Sequence, residues 1–304
     1  MYLKLTDHTA TVVLVPIRLG GLSVNTFLNI KRASMLRVLP LLFLLWFSFV
    51  HLSAQQRLVI VGGGTRPKAA MSKFMEWAGG AKAHILVIPW ATSEPESSYD
   101  YLKKDLVLFN PEAIDMAPIA PMTAEKREKF LAQLKSASGV FFTGGDQVRI
   151  MDVLKDRSLL QELQKKYTAG AVFGGTSAGT AIMSRKMITG EGDFTVIDGT
   201  KVETIEGLGL LPNDVIVDQH FIKRQRQNRL FGLLLQGGRE FGIGIDEDTA
   251  VLVRDNRYGE VIGDHQVMTV DPQRDGSLVV RLVRPGEAID LRTRRSSKAK
   301  TKSE

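Results

Sequence analysis

The sequence predicts an α/β fold, a parallel sheet covered by helices on both faces, with a β-rich C-terminal part. Three observations lead there. Short, almost uninterrupted apolar runs recur along the chain, as in strands buried on both faces. Stretches with helical spacing separate them, which is the βαβ rhythm of a parallel sheet. Glycine-rich loops, Gly62-Gly-Gly64, Gly144-Gly145 and Gly174-Gly175, lie at or near the ends of three runs. In an open parallel sheet such loops gather on the carboxyl edge, where ligands bind.

Taken in order, Arg57-Leu-Val-Ile-Val61 reads as a first buried strand that ends in the three glycines, and Lys68 to Ala78 as a helix stopped by Gly79-Gly80. Ile85-Leu-Val-Ile88 is a second strand. Tyr99 to Phe109 has helical spacing, Ala113 to Met116 is a short strand, and Thr123 to Ser136 is a charged amphipathic helix opening on Thr123-Ala-Glu-Lys. Gly139-Val-Phe-Phe-Thr143 runs into Gly144-Gly145-Asp146-Gln147, a helix follows from about Val148 to Thr168, and Ala171-Val-Phe173 precedes the third glycine loop. Beyond Asp246, the segments Ala250–Arg254, Val261-Ile262, Val267–Val270 and Leu278–Val283 are short strands separated by turn residues. No repeat and no Pro-, Gly- or Ser-rich linker divides the body, so one domain of about 230–250 residues is expected.

The net charge of +7 and pI near 9.5 suggest a nucleic-acid partner until the charge is located. Residues 1–54 hold a net +4 and residues 292–304 a net +5, which leaves the body, 55–291, at about −2. The body is not basic, and no nucleic-acid partner is expected. The last segment, RTRRSSKAKTKSE, has almost nothing to bury and reads as a solvated basic tail. Near the other end, Leu36-Arg37 precedes thirteen uncharged residues, Val38 to Val50, and then Leu52-Ser53-Ala54. A positive start, an apolar middle and a small-residue site have the form of a secretory signal peptide starting at Met35 and cleaved after Ala54. Export to the periplasm or the extracellular space follows, with no integral span after processing; an uncleaved membrane anchor is the alternative. Cysteine is absent, which removes disulfides, thiolate metal sites and cysteine nucleophiles together. Hydrolysis by this chain would have to use oxygen.

Gly175-Thr-Ser-Ala-Gly179 satisfies G-x-S-x-G between an apolar run and helix-forming residues. Small neighbours permit the sharp strand-to-helix turn that exposes Ser177, and the helix opening there aims free N–H groups at the same spot. A serine nucleophile needs a base. Beyond residue 54 the histidines are His84, His220 and His265. His84 opens an apolar strand and His265 lies in a turn, whereas His220 ends Val215-Ile-Val-Asp-Gln-His220 at a strand end like that of Ser177, so position favours His220. For the carboxylate that orients it, Asp246, Glu247 and Asp248 follow another strand, and Glu191 and Asp193 are also available; the residues alone do not choose. Lys223, Arg224, Arg226 and Arg229 follow the histidine. On a helix Arg224 and Arg226 would stand roughly 200° apart, so part of this segment is a loop or only some of its charges face the site. The G-x-G-x-x-G and P-loop patterns are both absent, which argues against a nucleotide at Gly62–Gly64.

Val140-Phe-Phe-Thr-Gly-Gly-Asp-Gln147, Gly175-Thr-Ser-Ala-Gly179, the run Asp218-Gln-His-Phe through Arg224, Arg226 and Arg229, and Gly244-Ile-Asp-Glu247 with Thr249-Ala250 occur in that order. Together they resemble the cyanophycinase family of serine exopeptidases, peptidase family S51, related to aspartyl dipeptidase and to class I glutamine amidotransferase domains. The resemblance covers roughly residues 55–285. It implies Ser177 as nucleophile, His220 as general base and Glu247 as the orienting carboxylate. It also implies that Gln147, Asp218, Gln219, Arg224, Arg226 and Arg229 line the substrate site, and that the N–H groups of Ala178 and Gly145 hold the oxyanion. Metal and cofactor are not expected. Gly174 before the motif and Asp248, where the family usually has asparagine, depart from the pattern without removing a catalytic group.

The implied substrate is cyanophycin, a polyaspartate with arginine amide-linked to its side chains, released as β-aspartyl-arginine. Its guanidinium and carboxylate groups call for a site with both signs of charge, with the arginines on carboxylates and Asp218 or another acid on the guanidinium. A related peptidase for other aspartyl or isoaspartyl peptides, and a non-catalytic binding protein on the same scaffold, are the alternatives. The expected partner is a peptide or polymer substrate, and a homodimer is the candidate assembly.

Overall fold

A computed structural model of the chain describes residues 54–192, 195–237 and 239–299, together with four short strand segments nearer the start. Those segments pair Thr11–Val12 with Asn29–Ile30 and Ile17–Leu19 with Leu22–Val24, both antiparallel, in a unit separate from residues 54–304. The signal peptide expected from Met35 lies, as far as Ser53, outside the described residues. Among the described residues no helix is long and apolar enough to cross a membrane.

The body is built on a mixed sheet. Its parallel part comprises β1 (Arg57–Val61), β2 (His84–Ile88), β3 (Ala113–Met116), β4 (Gly139–Phe142) and β5 (Val172–Thr176), in the spatial order β1-β5-β4-β2-β3. Alternate residues of each strand enter opposite cores, as the two-residue period of a strand requires. Leu58, Ile60, Leu86, Ile88, Val140 and Phe142 point to one face, and Val59, Val61, Ile85, Val87 and Phe141 to the other. Helices α1 (Lys68–Ala78) and α2 (Pro95–Leu106) cover the second face. Helices α3 (Ala124–Ser136), α4 (Gln147–Val153) and α5 (Arg157–Thr168) cover the first.

Downstream of β5 come a short helix α6 (Ala178–Ala181), an irregular hairpin of β6 (Lys186–Gly192) and β7 (Val202–Glu206), and then β8 (Val215–Gln219), α7 (Gln227–Gly237) and β9 (Phe241–Ile245). β8 and β9 are parallel to each other and belong to a second sheet, completed by antiparallel β12 (Val267–Pro272) and β13 (Leu278–Val283) in the order β8-β9-β12-β13. One face of this sheet, with Val215, Val217, Ile243 and Ile245, joins the core of the large sheet. The other, with Ile216 and Val270, packs on Leu230, Leu233 and Leu234 of α7. Between Ile245 and Thr249 the chain crosses back to the large sheet as β10 (Thr249–Arg254), antiparallel to β1, and continues through β11 (Tyr258–Gly263) and β14 (Glu287–Asp290). The C-terminal strands therefore divide between two sheets, which their sequences do not reveal.

Two expectations are corrected. The helix expected over Val148–Thr168 is two helices: α4 ends at Val153, and Asp156 starts α5 by accepting the Ser158 N–H at 3.0 Å. The basic tail stays exposed over Arg292, Thr293 and Arg295–Lys298, but it is ordered there rather than free of structure. Arg294 donates to Asp271 and Asp214 at 2.9 and 2.8 Å, and β15 (Arg295–Lys298) adds a last strand to the large sheet. Its register sets Lys298 opposite Glu287 and Arg295 opposite Asp290, so opposite charges face across the pair. Residues 300–304 lie outside the described residues.

Candidate active site

Strand register brings the three glycine runs together, although Gly174-Gly175, expected as a loop, lies within β5 itself. Val61 stands opposite Thr176, and Phe142 opposite Gly175, so the residues after β1 and β4 flank Ser177. Ser177 itself has φ 52° and ψ −114°, a conformation that side chains other than glycine rarely adopt. The strain is held by its surroundings. Its N–H donates to Val61 at 3.0 Å, and the Thr180 hydroxyl lies 2.7 and 2.8 Å from the carbonyls of Val61 and Gly175, fixing the start of α6. A β-carbon on Gly179 would come within 2.3 Å of the Phe142 carbonyl, so the turn closes only around glycine there.

From the second sheet, β8 ends with Gln219 opposite Ile245, placing His220 beside the crossover that carries Asp246, Glu247 and Asp248. The His220 N–H donates to Gly62 at 2.8 Å, and its ring lies against Gly63, where a β-carbon would be 2.2 Å from Cε1. The first glycine loop thus makes room for an imidazole. His220 Nε2 is 2.8 Å from Ser177 Oγ, and Nδ1 is 2.6 Å from Glu247 Oε1. The other two acids of the crossover fasten backbone: Asp246 accepts the N–H groups of Ile222 and Lys223 at 3.2 and 2.9 Å, and Asp248 accepts that of Thr65 at 2.6 Å. Asp248 sits at φ 55°, in the left-handed region that asparagine and aspartate tolerate best, which accounts for aspartate at that position. His84 instead faces Glu112 at 3.3 Å and His265 is exposed in a turn, so neither approaches Ser177.

Ser177 opens into a cleft of about 430 Å³ lined by Gly145, Asp146, Gln147, Gln219, Arg224, Arg226 and the pair Glu191 and Glu203. Gln147 is buried and donates to the Ile188 carbonyl at 2.9 Å, tying α4 to β6. Arg226 donates from Nη1 to the Gln219 carbonyl and side chain at 2.9 and 2.7 Å. Burial, reinforced by the neighbouring Arg229, brings its pKa down to about 10. Residues 221–225 form turns and Arg229 lies on α7, so the basic segment is part loop and part helix.

Asp218 and Arg229 are not on the wall of the cleft. They are buried, 2% and 0% exposed, and Arg229 grips Asp218 through both Nε, at 2.7 Å, and Nη2. Alternation along β8 is the physical reason: Gln219 faces the cleft, so Asp218 turns to the opposite side, toward α7. Glu203, by contrast, carries no recognisable pattern in its sequence neighbourhood and comes to the cleft only through the β6–β7 hairpin. Glu191 lines the cleft as well but is not the acid on His220, and Asp193 lies outside the described residues.

For the oxyanion, Ala178 is the first residue of α6, whose opening N–H groups have no acceptor within the helix. Gly144 passes so close that a β-carbon on it would be 3.3 Å from Ser177 Cβ, and Gly145, at φ 138°, lines the cleft next to it. No group of His, Asp or Glu side chains among the described residues is arranged to hold a metal.

Burial lowers the His220 pKa, and the Arg224 and Arg226 charges lower it further against the raising effect of Glu247. The imidazole is then neutral, and able to accept a proton, at pH values where an ordinary histidine is still protonated. The acid limb of kcat/KM should accordingly have its midpoint below about 6.5, the ordinary histidine value. Arg224→Gln removes a charge that disfavours imidazolium, so the midpoint should rise, whereas Glu247→Gln should lower it. Midpoints that stay fixed in both pH profiles would contradict this electrostatic assignment.

A serine at a strained strand-to-helix turn, hydrogen-bonded to a histidine that a carboxylate holds from behind, is the arrangement of a serine hydrolase. The model of peptidase family S51 matches residues 58–261; the chain belongs to this family and is a serine-type peptidase. It is 34% identical over 224 residues to the cyanophycinase of Trichormus variabilis, covering 72% of this chain and 75% of that one. With the cyanophycinase of Synechococcus elongatus it shares 34% over 229 residues, covering 73% and 70%. Among solved structures, a peptidase from an acI-B1 Actinobacterium has the same fold, with a TM-score of 0.60 at 23% identity over 80% of this chain and 99% of that one.

Proposed function

We propose that the chain is an exported exopeptidase of cyanophycinase type that releases β-aspartyl-arginine from cyanophycin. The observation that carries this reading is the cleft beside Ser177, which holds glutamates and arginines together, as a substrate bearing guanidinium and carboxylate requires. Relatives named cyanophycinase, each spanned over at least 70% of its length, support the same substrate.

In this mechanism His220 Nε2 takes the Ser177 proton as Oγ attacks the carbonyl carbon of the aspartyl backbone peptide bond. Glu247 stabilises the imidazolium that forms, and the N–H groups of Ala178 and Gly145 receive the oxyanion. Collapse of the tetrahedral intermediate breaks the C–N bond, and His220 returns the proton to the departing amine. A water then gives its proton to His220 and attacks the acyl-serine, and the same proton goes back to Ser177 Oγ as the acid leaves.

Incubation of the protein with cyanophycin should yield β-aspartyl-arginine as the dominant product by mass spectrometry. Turnover of simple aspartyl or isoaspartyl dipeptides with the polymer left intact would assign it to the related substrate class instead. The export proposal rests on the positive, apolar and small-residue order of Met35 to Ala54. It requires that protein recovered outside the cytoplasm begin at Gln55, and recovery only of chain still carrying residues 35–54 would contradict it.

A further inference from the structure

The pairing of Asp218 with Arg229 leaves the guanidinium of the proposed substrate without the receptor first assigned to it. We infer that Glu191 and Glu203, one on each strand of the β6–β7 hairpin, recognise that guanidinium and set specificity for an arginine-bearing substrate; this rests on the proposed function. Both glutamates line the cleft that contains Ser177, together with Arg224 and Arg226. Among the described residues neither glutamate is in an ion pair, unlike Asp105, Glu240, Asp218, Asp290, Asp214 and Asp271. Besides Asp146, whose carboxylate caps α4 by accepting the Val148 N–H at 2.8 Å, two carboxylates thus stand in the catalytic cleft without a cation of their own.

Glu203 is held in place. The buried Thr189 hydroxyl donates to its Oε2 at 2.9 Å and accepts the Glu191 N–H at 3.3 Å, so one side chain links both glutamates. The Thr189 carbonyl in turn accepts from Arg229 Nη1 at 3.3 Å. The buried Asp218–Arg229 pair therefore acts behind the cleft, as a support for the strand that presents the acids. Arg226 is a second sign of a ligand. Only 8% exposed, it lines the same cleft and leaves its buried Nε–H without a hydrogen-bond partner. A buried donor of this kind is costly unless a ligand group completes it.

Each arginine residue of the substrate carries an α-carboxylate and a guanidinium. Arg226, with Arg224, suits the carboxylate, and Glu203, with Glu191, accepts from the planar N–H fork of the guanidinium. Lysine, with one compact ammonium, and citrulline, with the same shape and no charge, fit this pair of acids less well.

The test uses two synthetic β-aspartyl trimers, one bearing arginine and one bearing citrulline, and compares kcat/KM for the full-length protein and for E203Q, E191Q and E191Q/E203Q. The wild type should prefer the arginine trimer, and the double variant should lose about 10- to 100-fold of that preference. Glutamine at 203 keeps an acceptor for Thr189, and labelling of Ser177 by a fluorophosphonate verifies that each variant is folded. A single variant, E203Q, carries the same expectation at smaller size should the double variant fail to label. An arginine-to-citrulline ratio unchanged by the substitutions would overturn the assignment of the glutamates. A wild type inactive on the arginine trimer would overturn the substrate reading beneath it.

Discussion

Ser177→Ala is expected to lower kcat on the natural substrate by about 10⁵- to 10⁶-fold, with the melting temperature and circular dichroism unchanged. The magnitude follows from the division of labour in the site. In the proposed mechanism Ser177 forms the acyl bond, while His220 and Glu247 act through it, at 2.8 and 2.6 Å. Removing the hydroxyl leaves the oxyanion donors and the charged cleft, which bind substrate and provide a small residual rate over water. Members of such a unit do not add: Ser177→Ala combined with His220→Ala should be no slower than Ser177→Ala alone. Because Ser177 sits at φ 52°, alanine at that position occupies the same strained turn, and the hydrogen bond lost with the hydroxyl is the one to His220 Nε2. Residual activity above about 1% would be incompatible with a serine nucleophile at this position.

The second large effect concerns stability. Arg229→Met should destabilise the protein by about 3–5 kcal/mol, because it takes the bidentate partner from the buried Asp218 carboxylate and leaves it only Arg226 Nη1 at 3.9 Å. Arg229 is fully buried, among the largest such side chains, and also supports Thr189 on the hairpin. For a domain of this size that loss lowers Tm by roughly 6–20 °C. Asp218→Asn combined with Arg229→Met should recover part of it, since the stranded carboxylate is gone; the recovery is incomplete because Arg226, 3.9 Å from Asp218, then loses its carboxylate. That recovery separates the burial of a charge from simple loss of packing. A melting temperature within about 2 °C of wild type for Arg229→Met would show that the pair contributes little.

Much of this architecture is legible in the sequence, for physical reasons. Strands buried on both faces announce themselves as uninterrupted apolar runs, so β1, β2, β4 and β5 and their α/β class follow directly. The strand-end positions of Ser177 and His220 are legible too, because apolar runs that stop abruptly in polar residues mark the sheet's ligand edge. Which acid meets the histidine is not. Asp246, Glu247 and Asp248 differ only in how the crossover between two sheets turns them, and without the family resemblance that turn is invisible. Alternation along β8 could have separated Asp218 from Gln219, had the facing of that strand been known. Glu203 and the final strand depend on contacts between distant segments: Glu203 on the fold of a hairpin, and Arg295–Lys298 on carboxylates one strand away. Composition identified that last segment as too charged to fold, and composition does not see what lies across from it.

Covalent labelling tests the central claim most directly. After reaction with a fluorophosphonate, peptide mapping should place the adduct on Ser177, and His220→Ala should slow labelling by about 10²- to 10⁴-fold at neutral pH. An adduct on another residue, or labelling of Ser177 at an undiminished rate without His220, would contradict the account.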